Sequence, residues 1–167
     1  MISFRDFSFA VYTAPGVADE CLRLQDDHGV DVNILLFCAY AAAVGRISLS
    51  AQDLADIDGT VADFRDGVVV PLRTCRRIMK RNIAALAPEQ ARAAEELRGR
   101  VKDIELAAEL LERDLMVAWL ATTAGRERRA ASVEPKDNIG AFLARHQLDG
   151  RTAPYPENLE RAALSYA

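Results

Sequence analysis

Residues 31–45, DVNILLFCAYAAAVG, decide the fold of this 167-residue chain. The stretch from Val32 to Val44 contains one polar side chain, Asn33. A helix that is apolar on every side is typical of a protein interior. Asp31 is suited to cap this helix, and Gly45 is suited to end it in a left-handed conformation. The sequence therefore predicts a buried central helix around which the other elements pack.

The composition favours helices over strands. The chain is rich in alanine and has only 9 glycines and 6 prolines, and it lacks runs of alternating β-branched residues. Its length is sufficient for one domain with a substantial core. We therefore predict an all-α, single-domain bundle of six to eight helices over residues 1–167, with a first part (1–86) and a second part (87–167).

Apolar spacing and capping residues locate the shorter helices. Gly29 is expected to end the second helix, Ser50 to cap the fourth, and Asp58-Gly59-Thr60 to form a turn. Pro71 is expected to cause a kink or a new start near residues 69–70 because it lacks a backbone donor. The predicted helices cover residues 3–12, 15–28, 31–45, 51–57, 67–86 and about 137–147.

The clearest periodicity lies in a predicted helix over residues 89–124. At 1.5 Å per residue this helix would be roughly 54 Å long, more than a compact domain of this size needs. One end is therefore expected to project or to pair with another copy, forming a homo-oligomer. Nine residues follow alternating steps of three and four, as in a coiled-coil seam: Ala94, Leu97, Val101, Ile104, Ala108, Leu111, Leu115, Ala118 and Thr122.

The remaining segments are predicted to be irregular. Residues 125–136 form a polar connection, and residues 157–166 form one or two frayed terminal turns. Three cysteines, Cys21, Cys38 and Cys75, lack the CxxC spacing of a zinc site, and we expect them to be reduced and packed among apolar residues.

Charge and hydropathy narrow the classes of partner. The net charge of −4 gives no general attraction to nucleic acid or anionic lipid. The apolar stretch 32–44 is shorter than the ~20 residues of a membrane span, and the N-terminus lacks a signal-peptide pattern. We therefore predict a cytoplasmic protein without a membrane partner, and any binding of nucleic acid would have to come from a local patch such as the arginine-rich helix over residues 67–86.

The first half of the chain resembles a known family. The resemblance covers roughly residues 4–85 and follows the pattern FSxxxYxxPGV, then LQDxxGxDVNxLLF, then PLRxxRRxxK. This pattern is similar to that of a family of small bacterial proteins described only as a domain of unknown function. The resemblance implies no activity, cofactor or substrate, so function must be argued from the residues.

A first candidate site is a row of cations that we call the basic stripe: Arg73, Arg76, Arg77 and Lys80. Their spacing places them on one face of a helix, with no acid between Pro71 and Arg81. The row could be neutralised by the acids of residues 53–66, or it could bind an anion or an acidic partner. Arginine suits planar oxyanions because it donates two parallel hydrogen bonds.

A second candidate site is the polar edge of the central helix: Gln25, Asp26, Asp31 and Asn33. Asn33 is predicted to be buried and needs a hydrogen-bonding partner, such as Gln25 or an arginine of the basic stripe. The spacing Asp26-Asp27-x-x-x-Asp31 is superficially similar to a magnesium-binding motif, but Gly29 interrupts the helix, and we predict no metal. A contact of Asp26 or Asp31 with Arg73 or Arg77 would join the two candidate sites.

Two functions remain open from the sequence. The first is a non-enzymatic binding or adaptor protein whose basic stripe holds an acidic protein surface or an anionic ligand. The alternative is an enzyme acting on a phosphate-containing or carboxylate small molecule in a polar pocket around Gln25, Asp31, Asn33 and Arg73. No cofactor is predicted, no catalytic residue is assigned, and known catalytic motifs are absent from the sequence.

Overall fold

Helix α3, Val32–Ala43, is the buried centre of the structure. Every residue from Asn33 to Ala43 is buried, and the side chains from Ile34 to Ala39 are inaccessible to solvent. Asp31 caps the helix, since its Oδ1 atom accepts the backbone N–H groups of Asn33 at 2.8 Å and Ile34 at 3.2 Å. The predicted central helix and its N-cap are therefore confirmed.

The computed structural model describes residues 2–122, 132–149 and 151–167. The regular elements within these ranges are all helical, which confirms the predicted all-α class. None of the described helices is long and apolar enough to cross a membrane. The predicted connection 125–136 lies mostly outside the described residues. The other α-helices are α1 (Phe4–Tyr12), α2 (Val17–His28), α4 (Ala51–Phe64), α5 (Val70–Ile83), α6 (Pro88–Leu120), α7 (Pro135–Arg145) and α8 (Glu157–Leu164).

The neighbours of α3 turn their apolar faces towards it. Helices α1, α2, α7 and α8 and the C-terminal half of α6 all pack against α3. Burial of each large side chain contributes roughly 1.5–3 kcal/mol, so this layer supplies most of the hydrophobic stabilisation. The fully or nearly fully buried residues that these helices provide include Phe4, Phe7, Cys21, Leu24, Met116, Ile139, Phe142 and Leu159.

The end of α3 differs from the prediction at Gly45. The left-handed residue is Arg46 (φ 53°), whereas Gly45 does not have a positive φ. Glycine is required at position 45 for a steric reason, because a Cβ atom there would lie 2.8 Å from the carbonyl oxygen of Ala41. The backbone N–H of Ile47 donates to the same carbonyl at 2.8 Å, so the chain folds back tightly at this point.

The predicted short helix over 51–57 is longer in the structure. Ser50 caps it as expected and forms a reciprocal capping box with Asp53. The predicted turn at residues 58–60 is wrong, because helix α4 continues to Phe64. Thr60 lies within the continuous helix, and its hydroxyl donates to the carbonyl of Asp56 at 2.7 Å, one helical turn earlier.

The irregularity expected near Pro71 is a π-helical turn, Arg65–Val69, between α4 and α5. Here the N–H of Val70 donates to the carbonyl of Arg65, five residues earlier rather than four. A proline ring clashes with the carbonyl four residues before it, and the wider turn relieves that clash. The π turn carries Arg65 and Asp66, which both line the cavity described below.

Helices α5 and α6 pack side by side, and α5 contains no buried residue. The inward face expected on α5 is only half-buried at Leu72, Met79 and Ile83, and Cys75 is exposed, contrary to the prediction for this thiol. The predicted seam of α6 divides into two columns. Ala94, Val101, Ala108 and Leu115 are covered, whereas Leu97, Ile104, Leu111 and Ala118 are exposed. The long helix is thus confirmed, but only half of its seam is used within the chain.

The C-terminal segment is more ordered than predicted. Residues 157–164 form helix α8, and Leu159 and Ala163 are inaccessible to solvent. The buried carboxylate of Glu20 on α2 accepts the backbone N–H groups of Asn158 at 3.1 Å and Leu159 at 3.0 Å. A carboxylate at a helix N-terminus accepts hydrogen bonds from the free N–H groups there and interacts favourably with the positive end of the helix dipole. This contact fixes α8 to the core.

Asn138 on α7 joins three chain segments in the interior. Its Oδ1 atom accepts the N–H of Leu49 at 2.9 Å, and its Nδ2 atom donates to the carbonyls of Ile47 at 2.9 Å and Cys38 at 3.2 Å. These bonds hold the loop between α3 and α4 against both α3 and α7. They satisfy backbone groups that would otherwise be buried without partners.

We expect Asn138→Ala to lower the free energy of unfolding by about 3 kcal/mol, because it leaves buried backbone groups without partners. Urea unfolding followed by circular dichroism measures this loss. The control is Asn82→Ala, at an exposed position of α5, which should change stability by less than about 0.5 kcal/mol. Equal effects of the two substitutions would contradict the role assigned to Asn138.

Candidate functional site

A polar cavity of about 440 Å³ opens where the N-terminus of α3 meets α2, the π turn, α5, α6 and α7. The site is built by the end of α2 and the cap of α3, with α5 and the π turn on one wall. Its lining consists of Gln25, Asp26, Gly29, Val30, Asp31, Asn33, Asp58, Arg65, Asp66, Val69, Val70, Arg73, Thr74, Arg77, Glu112, Phe142 and His146.

The cavity brings together residues from both predicted sites. All four residues of the polar edge line it: Gln25, Asp26, Asp31 and Asn33. Of the basic stripe, Arg73 and Arg77 line the cavity. Arg76 lies instead in a neighbouring groove, and Lys80 lines neither of them. The two surfaces predicted separately from the sequence are therefore adjacent walls of one cavity, apart from Arg76 and Lys80.

The partners of Asn33 are on α6. Its Nδ2 atom donates to Glu112 Oε2 at 2.9 Å, and its Oδ1 atom accepts from Arg113 Nε at 2.9 Å. Arg113 also donates to the hydroxyl of the buried Ser8 at 2.9 Å. The expectation that Asn33 is buried is correct, but the partners expected for it, Gln25 or an arginine of the basic stripe, are not those found.

Asp31 and Glu112 form a carboxyl pair in the cavity wall. The side chain of Glu112 is inaccessible to solvent, and its Oε1 atom has no hydrogen-bond donor among the described residues. Asp31 accepts two backbone N–H groups through Oδ1, and its Oδ2 atom lies 3.6 Å from Arg65 Nη1. Two adjacent carboxylates repel each other, and one of them retains a proton.

Glu112 is the more deeply buried carboxyl of this pair, with no exposed surface, whereas the Asp31 side chain is 10% exposed. Burial, and after it the neighbouring Asp31, raise the pKa of Glu112 to about 8, while the amide of Asn33 opposes the shift. At neutral pH the raised pKa favours the protonated, neutral form of Glu112. A carboxyl with such a pKa can release a proton near physiological pH.

The arginines of the cavity are held by acids of other helices. Arg73 Nη2 lies 2.7 Å from Glu109 Oε1, and Arg76 pairs with Glu105 through two nitrogens, both acids being on α6. These acids face the basic stripe, rather than the acidic residues 53–66 that the sequence offered as its neutralising segment.

One ion pair joins the two predicted sites directly. Arg77 Nη2 lies 2.6 Å from Asp26 Oδ1, and this hydrogen bond is the largest cause of the lowered pKa of Asp26. Both side chains are about half exposed, at 48% and 47%. Exposed pairs of this kind contribute roughly 0–1 kcal/mol, so a ligand can replace Asp26 at low cost.

Arg65 is a cavity residue that sequence reasoning missed. Its Nη1 atom lies 2.6 Å from Asp58 Oδ1 and its Nε atom lies 2.9 Å from Asp66 Oδ1. Burial lowers the pKa of this guanidinium, but the surrounding carboxylates outweigh burial and raise it overall. Arg65 is therefore a permanent cation beside Asp31.

Glu112 and His146 also escaped the sequence analysis as site residues. Glu112 lies on a long, charged helix, where an acid usually faces water. His146 lies near the end of the predicted helix 137–147 and caps α7, but its ring also packs edge-on against Phe142, and burial lowers its pKa. The one available signal was the need of a buried Asn33 for a polar partner, which did not specify which helix supplies it.

The described residues contain no group of three or more His, Cys, Asp or Glu side chains placed to hold a metal ion. The carboxylates of the cavity are divided instead between Arg65, Arg77 and the amide of Asn33. What this arrangement offers a ligand is hydrogen bonding and charge: guanidinium groups on one wall and a neutral carboxylic acid beside them.

We expect the free energy of unfolding to fall as pH rises from about 4.5 to about 8, because native Glu112 keeps a proton that the unfolded chain releases. The contribution of this group is fully present below pH 4.5 and is lost as pH passes its raised pKa. Between these two pH values the free energy of unfolding should fall by up to about 1.4 kcal/mol per pH unit. Urea unfolding at about pH 5 to 9 measures it.

The variant Glu112→Gln remains neutral at every pH, so the stability of this variant should lack that part of the pH dependence. Glu96→Gln, at an exposed position of the same helix, is the control and should retain it. Parallel curves for the wild type and Glu112→Gln would show that Glu112 is ionised in the native state.

Comparison with known proteins places the chain in a family but gives it no activity. No curated protein matches it, and no solved structure matches it. One family model matches residues 3–116, more than half of the chain and including α1 to α5 and most of α6. That family is described as "Protein of unknown function (DUF2390)", in agreement with the resemblance to an uncharacterised family noted from the sequence. The chain belongs to the family of proteins of unknown function DUF2390.

Proposed function

We propose that this protein binds a small organic anion, carrying a carboxylate or phosphate group, in the polar cavity. The observation that carries the proposal is the position of Arg77. It lines the cavity, it is half exposed, and its partner Asp26 is equally exposed. A planar guanidinium with a weakly held partner is suited to exchange that partner for the oxyanion of a ligand.

The other walls support the same ligand chemistry. Arg73 is held by Glu109 and Glu105, so it presents a fixed positive charge beside Arg77. The amide of Gln25 supplies a neutral hydrogen-bonding group in the same cavity. A cavity of about 440 Å³ has the size of a small-molecule site. These features favour a ligand with an anionic end and a neutral polar end.

We favour a small anion over an acidic protein surface as the occupant of the basic stripe. Arg73 and Arg76 are turned onto Glu105 and Glu109, which leaves them few donors for a partner outside the chain. Arg76 is also held by the nearly buried Glu105, so reversing its charge would disturb the packing of α5 on α6. Arg77 alone of these three is paired only with a half-exposed acid.

A second candidate function is catalysis on the bound molecule, favoured by Glu112. A carboxylic acid that remains protonated near pH 7 and then loses its proton above it can act as a general acid or base. Glu112 is the described cavity residue with this property. In that case Glu112→Gln would bind the ligand and leave it unchanged, whereas the wild type would convert it.

A cytoplasmic location also remains part of this proposal. Cys21, Cys38 and Cys75 are all free, and Cys75 is exposed. Free thiols are typical of reducing compartments, whereas oxidising compartments favour disulfides. This supports the location expected from the sequence.

We expect a ligand of this class to raise the melting temperature of the wild type in a thermal-shift panel of small carboxylates and phosphate monoesters at about pH 7. Saturation at about a hundred times the dissociation constant adds about 2.7 kcal/mol, or roughly 5–10 °C for a chain of this size. Arg77→Gln should abolish most of the shift, because it removes the guanidinium that binds the oxyanion.

The matched control is Arg98→Gln. Arg98 is likewise an arginine held by one acid, Glu95, but it lies on α6 outside the cavity. This variant should keep the full ligand-induced shift. The proposal is contradicted if the whole panel leaves the melting temperature unchanged, or if Arg77→Gln and Arg98→Gln respond to the hit equally.

A further inference from the structure

The exposed apolar column of α6 points to a second copy of this chain. We define the outer column as Leu97, Ile104, Leu111 and Ala118, which recur every seven residues. Its three large members are 51%, 57% and 49% exposed. The column spans about 32 Å at 1.5 Å per residue, three full heptads. A regular stripe of this length is typical of a helix that pairs with another helix.

The rest of the protein leaves the outer column free while it uses the inner one. Ala94, Val101, Ala108 and Leu115 are covered, mainly by α5, α4 and the core. One column of the heptad pattern is therefore packed within the chain, and the other column is exposed. A second helix could pack against the exposed column. Isolated exposed apolar residues are ordinary, but three large ones in register are not.

The arrangement of the outer column is symmetrical. The midpoint of Leu97 and Ala118, and of Ile104 and Leu111, falls between Ala107 and Ala108. A two-fold axis at that point would place Ile104 of one copy opposite Leu111 of the other. Ala107, which is exposed beside this axis, would allow the two helices to approach closely.

Charges beside the column select the antiparallel orientation. Arg100 and Asp114 are both exposed, each lies one turn from members of the column, and each is seven residues from Ala107. Within the described residues neither of them makes an ion pair. An antiparallel pair about this axis brings Arg100 to within one residue of the level of Asp114 of the second copy, twice. A parallel pair would set Arg100 against Arg100 and Asp114 against Asp114.

We propose that the protein forms an antiparallel homodimer through the outer column of α6, with reciprocal Arg100–Asp114 contacts across the two-fold axis. This inference is independent of the ligand proposed for the cavity. The outer column lies on the other flank of α6 from the side chains that form the groove with Phe9, such as Leu106. The cavity remains accessible in such a dimer because no residue of the outer column lines it.

Sedimentation velocity over a range of concentrations tests the dimer. The wild type should sediment as a dimer, and Ile104→Glu should raise the dissociation constant by roughly a hundredfold, since each dimer would bury the new charge twice. Leu106→Glu is the matched control, because Leu106 is on the same helix and is 50% exposed but lies outside the column. Melting curves establish that both variants fold.

A charge exchange tests the orientation. Arg100→Asp and Asp114→Arg should each weaken the dimer, and the double variant should restore it, because opposite charges face each other only in the antiparallel pair. A monomeric wild type, or a dimer that Ile104→Glu does not weaken more than Leu106→Glu, would overturn the proposed surface. A double variant that stays as weak as the single variants would overturn the antiparallel arrangement.

Discussion

The hydrogen bond between Asn33 and Glu112 is the contact on which the arrangement of this protein depends. Helix α3 is packed on nearly every side, and its one amide side chain is only 5% exposed. Leaving such a group unpaired costs on the order of 1–3 kcal/mol. Glu112 and Arg113 of α6 satisfy both ends of the amide, and they fix where α6 crosses the central helix.

The same contact creates the polar cavity. Because Asn33 is two residues from the N-cap, the acid that pairs with it is brought next to Asp31. Burial and the adjacent Asp31 then raise the pKa of Glu112, and Arg65 lies 3.6 Å from Asp31 on the other side. An interaction that serves packing thus leaves a neutral acid beside a cluster of arginines. The fold and the candidate site share one cause.

Much of the fold followed from the sequence because it depends on local rules. Composition and residue spacing predict the apolar run of α3, the caps at Asp31 and Ser50, and the length of α6. The residues of the polar edge were identifiable because they surround the N-terminus of a helix that has to be buried. The π turn appeared only as an expected irregularity, since proline shows where regular bonding fails but not how the chain adapts.

The parts that could not be predicted depend on contacts between distant segments. Glu20, Arg65 and Glu112 look like ordinary surface charges on helices, and only tertiary packing shows which atoms they meet. The reason for glycine at position 45 was predicted wrongly. Glycine can be needed either for a left-handed backbone conformation or where two backbone segments approach closely, and the sequence does not distinguish the two. The heptad seam of α6 was detected from the sequence. The sequence did not show which of its two columns is covered, because that depends on the side of α6 against which α5 packs.

The most direct test of this account is the titration of the Glu112 side-chain carboxyl by carbon-13 NMR in the wild-type protein, assigned by comparison with Glu112→Gln. The account predicts a pKa of about 8, because Glu112 is buried beside the ionised Asp31. A value near the ordinary 4.5 would contradict it, since the carboxyl would then be solvated or paired with a cation, and the link between Asn33, α6 and the cavity would be wrong.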